Sequence, residues 1–182
     1  MKKLFLLTAI AGIFAFSSAK AQDPAMSGPK LGVGVEFGFP MGDFGDIYNL
    51  SVGGSLLYQH PIANQLNFTV NAGYLNFTGK EYDVAGLGKV KADNLGVIPV
   101  KAGLRYFLAE NIFVNGEVGA VFGTSDGFGT RFAYSPGIGV EFPVADKSTL
   151  ELGARYEGWS KKGDNGITPQ TIGLRLAWNF GL

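Results

Sequence analysis

The sequence predicts an all-β protein, an eight-stranded antiparallel up-and-down transmembrane β-barrel with its apolar face outward. Three observations support this prediction. Apolar and small or polar residues alternate from Lys30 to the end of the chain, short and long connections alternate between the segments, and the apolar face is too bulky for a barrel interior. A period of two is typical of β-strands, whose successive side chains point to opposite faces.

The first 21 residues are expected to be a signal peptide that is cleaved on export. Lys2 and Lys3 form a positive start, residues 4–16 are mostly apolar, and Ala19-Lys20-Ala21 fits a small-x-small cleavage site. The apolar stretch is too short to cross a bilayer, which takes about 20 residues. The expected organisation is a signal peptide at 1–21, a short leader at 22–29 and a barrel domain at 30–182.

Charge and cysteine content argue against several functions. Three of the fifteen basic residues lie in the signal peptide and all fifteen acidic residues lie after it, so the mature net charge is −3. Without a basic run, nucleic acid is not an expected partner. Without cysteine, the chain has no disulfide, no thiol nucleophile and no cysteine-ligated metal.

Alternation and turn residues divide the barrel domain into eight strands. The predicted strands are 30–39, 49–59, 65–77, 94–107, 111–123, 131–142, 149–159 and 170–181. The tight links are 60–64, 108–110 and 143–148, and the longer ones are 40–48, 78–93, 124–130 and 160–169. In outer-membrane barrels the short turns face the periplasm and the long loops face outward. Pro99 and Pro136 fall inside strands, where each predicts a bulge, a strand end or a wrong assignment.

The volume of the apolar face decides which side of the barrel is inside. In the last strand Ile172, Leu174 and Leu176 lie on one face, followed by Trp178 and Phe180. Over the eight strands roughly thirty bulky apolar side chains share this face, and they would overfill an eight-stranded interior. The opposite face carries glycines, small polar residues and a few long charged ones, which fit a narrow lumen. The apolar face is therefore predicted to contact lipid.

Aromatic residues cluster near both ends of the predicted strands. One group lies towards the short turns: Tyr58, Tyr106, Phe142, Trp178 and Phe180. The other lies towards the long loops: Phe37, Phe39, Tyr74, Phe122, Phe132, Tyr134 and Tyr156. Two such belts are typical of the two interfaces of a membrane.

Several of these features together carry a family resemblance. They are the cleavable signal, the eight amphipathic strands, the segment 98–107 and the closing strand ending Leu176-Ala177-Trp178-Asn179-Phe180. From residue 30 to 182 the chain resembles the small OmpA/OmpX-like outer-membrane β-barrel domain family. The resemblance implies a Gram-negative outer membrane, contact with its lipid, and recognition of Trp178 and Phe180 by the barrel-assembly machinery. Gly181 and Leu182 follow Phe180 and depart from the family's terminal pattern.

The charges on the inward face form the candidate site. They are Glu36, Lys101, Arg105, Glu117, Glu141, Glu151, Arg155, Glu157 and Arg175. Strand pairing places Glu117 beside Lys101 and near Arg105, and Glu36 near Arg175 if the first strand closes against the last. The link at 143–148 brings Glu141 and Glu151 together, and Arg105 is the candidate partner for both. Buried charges must be paired, so we expect a network that plugs the lumen. The alternative is a proton or ion path, or a gate that opens when pairs exchange.

The sequence offers little evidence for catalysis. Its only histidine, His60, falls in a tight link and is expected to be a solvated turn residue, and no nucleophile–base pair is recognisable. No metal-ligand or cofactor motif is present, so we expect neither an enzyme nor a cofactor-binding protein.

The expected function is a structural or interaction role through the extracellular loops. The candidate contact surface is in the 78–93 connection: Lys80, Glu81, Tyr82, Asp83, Leu87, Lys89 and Lys91. An extracellular or envelope protein is the expected partner, and the barrel is expected to be a monomer. The alternatives are a narrow pore or transporter, which eight strands leave little room for, and an accessory subunit of an envelope secretion system.

Overall fold

The computed structural model describes residues 28–84, 88–124, 128–160 and 168–182. The predicted signal peptide, most of the leader and Leu87 lie outside the described residues. The elements in chain order are β1 (Lys30–Met41), α1 (Gly42–Ile47), β2 (Tyr48–Ala63), β3 (Leu66–Gly79), β4 (Glu81–Val84), β5 (Gly88–Lys91), β6 (Leu95–Phe107), β7 (Ile112–Gly123), β8 (Thr130–Ala145), β9 (Ser148–Ser160) and β10 (Gln170–Gly181).

Eight of these strands form one closed antiparallel barrel in the order β1-β2-β3-β6-β7-β8-β9-β10. The first strand closes against the last, from Lys30 opposite Gly181 to Met41 opposite Gln170. Closure leaves the barrel sheet without an unpaired edge, which a bilayer requires. The predicted fold class is confirmed. Within the described residues no helix is long and apolar enough to span a membrane.

Two predicted links are shorter than expected because their flanking strands run further. β2 and β8 continue past a register shift, and only Asn64 with Gln65, and Asp146 with Lys147, remain as turns. His60 was predicted to be a turn residue, but it lies in β2. Its ring stacks on Tyr58 at 6.2 Å between centroids, and its Nδ1 lies 3.1 Å from the Tyr58 hydroxyl.

Neither proline marks a bulge, a strand end or a wrong strand assignment, which were the three predicted possibilities. Pro99 lies inside β6 and Pro136 inside β8, and each keeps its pairing with β7. On the other side, pairs are missing at Pro99 in β3–β6 and at Pro136 in β8–β9, but the register before and after is the same. A proline has no N–H to donate to a neighbouring strand. Each proline therefore interrupts the pairing with one neighbour and leaves the register of the two strands unchanged.

The faces of the sheet are arranged as predicted. Along β10, Ile172, Leu174 and Leu176 project outward and are exposed, whereas Thr171 and Arg175 are buried inside. The same alternation recurs around the barrel, with Val118, Leu56 and Ile138 each more than half exposed on the outer face. The protein thus turns its large apolar side chains towards lipid and its charges towards the lumen.

One part of the lumen differs from the expectation of small and charged residues only. Towards the long connections it contains an apolar cluster, here called the apolar cap: Phe44, Tyr48, Leu75, Phe77, Leu95, Val97, Val121, Phe128, Ala133 and Trp159. Phe44 enters it from α1, which occupies the predicted 40–48 connection. The aromatic rings meet edge to face, with Phe77 and Trp159 at 5.6 Å and Phe44 and Phe77 at 5.2 Å between centroids. This end of the lumen is therefore mostly apolar, unlike the charged middle of the lumen.

Adjacent leucines on β2 test which face contacts lipid. Leu56 is half exposed outside and Leu57 is buried inside beside Asn71. We expect Leu56→Asn to lower the free energy of unfolding by about 1–3 kcal/mol, because its amide enters hydrocarbon without a partner. Leu57→Asn should cost less, since its amide enters a polar lumen. Urea unfolding in lipid vesicles measures both, and a larger loss for Leu57→Asn would contradict the arrangement of faces.

Candidate functional site

The candidate site is the set of charged side chains inside the barrel. The nine residues predicted from the sequence all point inward, because each occupies one of the alternate strand positions whose side chains face the lumen. Eight of them are almost completely buried, and Arg155 is slightly more exposed. The expected pairs are present: Lys101 lies near Glu117, Arg175 near Glu36, and Arg105 near both Glu141 and Glu151. The structure adds further pairs that the sequence did not predict.

Arg105, Glu151 and Arg175 form the first cluster. Arg105 donates two hydrogen bonds to Glu151, at 2.8 and 3.1 Å, in the bidentate geometry that favours arginine over lysine. Arg175 Nη1 binds the same carboxylate at 2.7 Å. Glu141 lies directly opposite Glu151 on β8, and Arg105 Nη1 reaches it at 3.5 Å. Arg105 therefore lies between the two neighbouring carboxylates.

Lys30 is a member of this cluster that the sequence analysis missed. Its Nζ lies 2.6 Å from Glu141 Oε1, and both side chains are buried. Thr149 donates a further hydrogen bond of 2.6 Å to the same oxygen. Lys30 and Glu36 are six residues apart on β1, so the strand alternation points both side chains into the lumen, although Lys30 is the first residue of the strand.

Glu157 is the centre of the second cluster. It accepts bonds from Lys101 at 2.6 Å, from Arg155 at 3.0 Å and from the Trp159 indole at 2.7 Å. Glu117 lies 3.5 Å from Lys101, which is its ion-pair partner among the described residues. The indole bond joins this cluster to the apolar cap.

Glu36 links the two clusters. Its carboxylate lies 2.9 Å from Arg155, 3.4 Å from Arg175, and accepts a bond of 2.5 Å from Ser55. The ion pairs of the described lumen thus join five acidic and five basic side chains. Equal numbers of opposite charges make the network neutral, so the desolvation of each charge is offset by a partner.

The predicted loop surface has a folded structure of its own. β4 and β5 form a two-stranded hairpin. Two of the predicted contact residues, Lys80 just before it and Tyr82 within it, bind α1. Lys80 Nζ donates to the Gly45 carbonyl and the Tyr82 hydroxyl to the Asp46 carbonyl, both at 2.5 Å. These bonds satisfy carbonyls at the C-terminal end of α1, which a helix leaves without partners.

Along β4, the charged residues Glu81 and Asp83 lie on either side of Tyr82, which bonds to α1. Glu81 lies opposite Lys91 and Asp83 opposite Lys89, so they share one face of the hairpin. Lys89 and Glu81 form an exposed ion pair of 3.0 Å. The exposed hairpin face therefore has balanced charge.

Trp178 and Phe180 lie on the outer face of β10, near the short turns. Both are exposed, and they pair with Val33 and Leu31 at the seam between β10 and β1. Their assignment as an assembly signal stays a prediction. Across the described residues, no group of three or more histidine, cysteine or acidic side chains could hold a metal ion.

Comparison with known structures shows the same fold in bacterial surface proteins. Ail of Yersinia pestis, solved with the heparin analogue sucrose octasulfate, is 15% identical over 86% of this chain and 100% of its own, with a TM-score of 0.55. Neisserial surface protein A is 15% identical over 86% and 98%, with a TM-score of 0.58. OprG of Pseudomonas aeruginosa is 10% identical over 85% and 96%, with a TM-score of 0.55.

No curated protein sequence matches the chain significantly. The family comparison does give a match, to the outer membrane protein beta-barrel domain, over residues 6–180. The match covers all eight strands, and it agrees with the closed barrel and its outward apolar face. The chain therefore belongs to the outer membrane protein beta-barrel domain family, and its place is the outer membrane of a Gram-negative cell.

Proposed function

We propose that this small outer-membrane barrel is closed to ions, has no catalytic role, and acts as a structural and interaction protein through its outer surface. The observation that supports the proposal is the set of side chains that the described residues place inside the barrel. A neutral ion-pair network occupies the middle, and the apolar cap occupies the end towards the long connections. An ion would have to displace paired charges and then pass the mostly apolar side chains of the cap, and both steps are costly.

The outer surface of α1 and the hairpin is the proposed interaction site. Its shape is fixed by the bonds from Lys80 and Tyr82 to α1. Fixing a binding surface in advance lowers the entropy lost when a partner binds. The remaining predicted contact residues, Glu81, Asp83, Lys89 and Lys91, stay exposed on the hairpin.

The balanced charge of this surface favours a protein partner with groups of both signs. Ail was solved with a sulfated sugar, but a polyanion of that kind would gain little from a face on which each lysine lies opposite an acid. An extracellular or envelope protein remains the proposed partner class.

Export and assembly complete the proposal. Residues 1–21 would be removed as a signal peptide, with 22–29 as a leader before the barrel. Trp178 and Phe180 would be recognised by the barrel-assembly machinery, since both are on the outer face of the strand that closes the barrel. The closed, edge-free barrel favours a monomer within the lipid.

A conductance measurement tests the closed lumen. In planar bilayers we expect no sustained ion current from the wild-type barrel, because the ion-pair network and the apolar cap would both oppose the passage of an ion. A 16-stranded porin in the same bilayer serves as the positive control. Sustained currents that change in Glu117→Gln or Arg175→Gln would contradict the closed lumen and favour the pore alternative.

Site-specific photo-crosslinking in intact cells tests the interaction surface. A photoreactive residue replaces Lys89, which is exposed on the hairpin, or Asp146, an exposed control in a short turn. We expect a crosslinked protein from position 89 and none from position 146. Tyr82→Phe should reduce the yield at position 89, because it removes a tether to α1. Equal yields at both positions, or none at 89, would contradict the proposed surface.

A further inference from the structure

The β2–β3 hairpin carries two polar side chains on the outside of the barrel, where the fold mostly places apolar ones. β2 and β3 meet in the short turn at Asn64 and Gln65. His60 lies shortly before this turn on the outer face of β2, opposite Phe68, and its side chain is exposed. A polar side chain on a lipid-facing surface is costly unless it finds a hydrogen-bond partner.

Exposed apolar residues place His60 within the membrane interface. Ile62 and Leu108 lie nearer the short turns than His60, and they are 54% and 57% exposed. On the other side of His60 the outer face continues with Tyr58 and with Phe68, which is also exposed. Because apolar side chains lie both before and beyond it, His60 is at the level where aromatic belts meet lipid headgroups. The short turns face the periplasm, so these headgroups belong to the periplasmic leaflet.

The His60 ring is held by one nitrogen and leaves the other available. Nδ1 lies 3.1 Å from the Tyr58 hydroxyl, and the two rings stack. A tyrosine hydroxyl can donate to Nδ1, and the ring proton then lies on Nε2. Within the described residues, Tyr58 is the hydrogen-bond partner of this ring. Nε2 is therefore a donor that needs an acceptor from outside the described chain.

Gln65 repeats this arrangement at the turn. The Tyr106 hydroxyl donates to Gln65 Oε1 at 3.2 Å, and the two N–H groups of the amide stay available. The backbone of Gln65 has a φ of 62°, which glycine adopts freely but which is costly for a residue with a side chain. Such a cost is typical of functional positions. It indicates that the Gln65 side chain has a role beyond forming the turn.

The charges around the two donors favour an anionic acceptor. β2, β3 and β6 contain no acidic residue, and Glu110, in the turn after β6, is the acidic residue that comes next in the chain at this end. The basic residues of these strands, Lys101 and Arg105, are paired inside the lumen. The outer face of the hairpin therefore offers N–H groups without a carboxylate that would repel an anion.

We propose that His60 and Gln65 form a binding site for the phosphate group of a phospholipid in the periplasmic leaflet. His60 Nε2 and the Gln65 amide donate to the phosphate oxygens, while Tyr58 and Tyr106 hold the two donors in place. A free phosphate ion has the same chemistry, but the exposed apolar residues beside His60 favour a phosphate that carries acyl chains. The site lies at the opposite end of the barrel from the proposed interaction surface, and it does not depend on a closed lumen.

Solid-state NMR in phospholipid bilayers tests the site. The chain has a single histidine, so ¹⁵N-histidine labelling of a protein purified without a histidine tag marks His60 alone. We expect dipolar coupling to the lipid ³¹P to reduce the Nε2 signal more strongly than the Nδ1 signal, because Nδ1 faces the Tyr58 hydroxyl. No reduction at Nε2, or an equal reduction at both nitrogens, would overturn the proposal.

A second histidine position separates a binding site from mere proximity to headgroups. The double variant His60→Phe, Phe142→His moves the histidine to another position of the same aromatic belt, opposite Leu150 and without a tyrosine partner in the strand pairing. We expect a weaker ³¹P effect there, and an effect as strong as at His60 would rule out a specific site.

Detergent distinguishes the two sources of phosphate. In dodecyl maltoside micelles with added inorganic phosphate, we expect no ³¹P effect at His60 Nε2, because the acyl chains that favour binding are not joined to the phosphate. An effect of the same size as in bilayers would show a site for the free anion and would overturn the lipid assignment.

Gln65→Gly gives an independent measure. Since glycine adopts the backbone conformation of Gln65 without cost, the urea midpoint of this variant should stay or rise in maltoside micelles. In phospholipid bilayers it should fall below that of the wild type, because the bond to the headgroup is lost. Asn64→Ser, at the neighbouring exposed position of the turn, is the control and should have the same effect in both media. Equal changes in both media for Gln65→Gly would contradict the proposed site.

Discussion

The neutral ion-pair network in the lumen is the constraint on which the rest of the structure depends. A barrel in lipid must turn its apolar side chains outward, and this leaves the charged side chains of eight strands in a narrow interior. They can remain there only if each is paired. Glu36 and Lys30 show how the fold meets this condition, because the partners of these two β1 charges lie on β8, β9 and β10. Their pairing therefore requires the closed barrel.

The network also contacts the apolar cap at the end of the lumen towards the long connections. Trp159 belongs to the apolar cap through its ring and to the network through its indole N–H, so the two layers share a boundary at Glu157. Above this boundary Phe44 attaches α1 to the cap, and α1 is held in turn by the hairpin through Lys80 and Tyr82. A continuous series of contacts thus joins the charged interior to the outer surface.

Sequence periodicity predicted the eight strands and their faces because period two is a property of the backbone and does not depend on partners. It did not predict α1 or the hairpin, since the glycine-, aspartate- and lysine-rich connections have no long alternation to reveal them. The apolar cap was missed because Leu75 and Phe77 lie on the same inward face of β3 as polar residues such as Asn71. Only the closed barrel shows that they form one cluster with Trp159. The reach of Arg105 to Glu141 was predicted, but contacts such as Lys30 with Glu141 and Lys101 with Glu157 were not, because they depend on how far a long side chain reaches across the lumen. Parity alone places such residues inside but does not pair them.

The most direct test of the central claim is a double-mutant cycle on Lys30 and Glu141, measured as free energies of unfolding in lipid vesicles. Glu141→Gln leaves the buried Lys30 charge without its carboxylate and should destabilise the barrel by about 3–5 kcal/mol. Lys30→Met leaves Glu141 with only the longer pair to Arg105 and should also destabilise the barrel, by a smaller amount. The double variant removes both charges and should recover most of that loss. If the two losses simply add in the double variant, charge pairing does not hold the lumen together, and the account would be wrong.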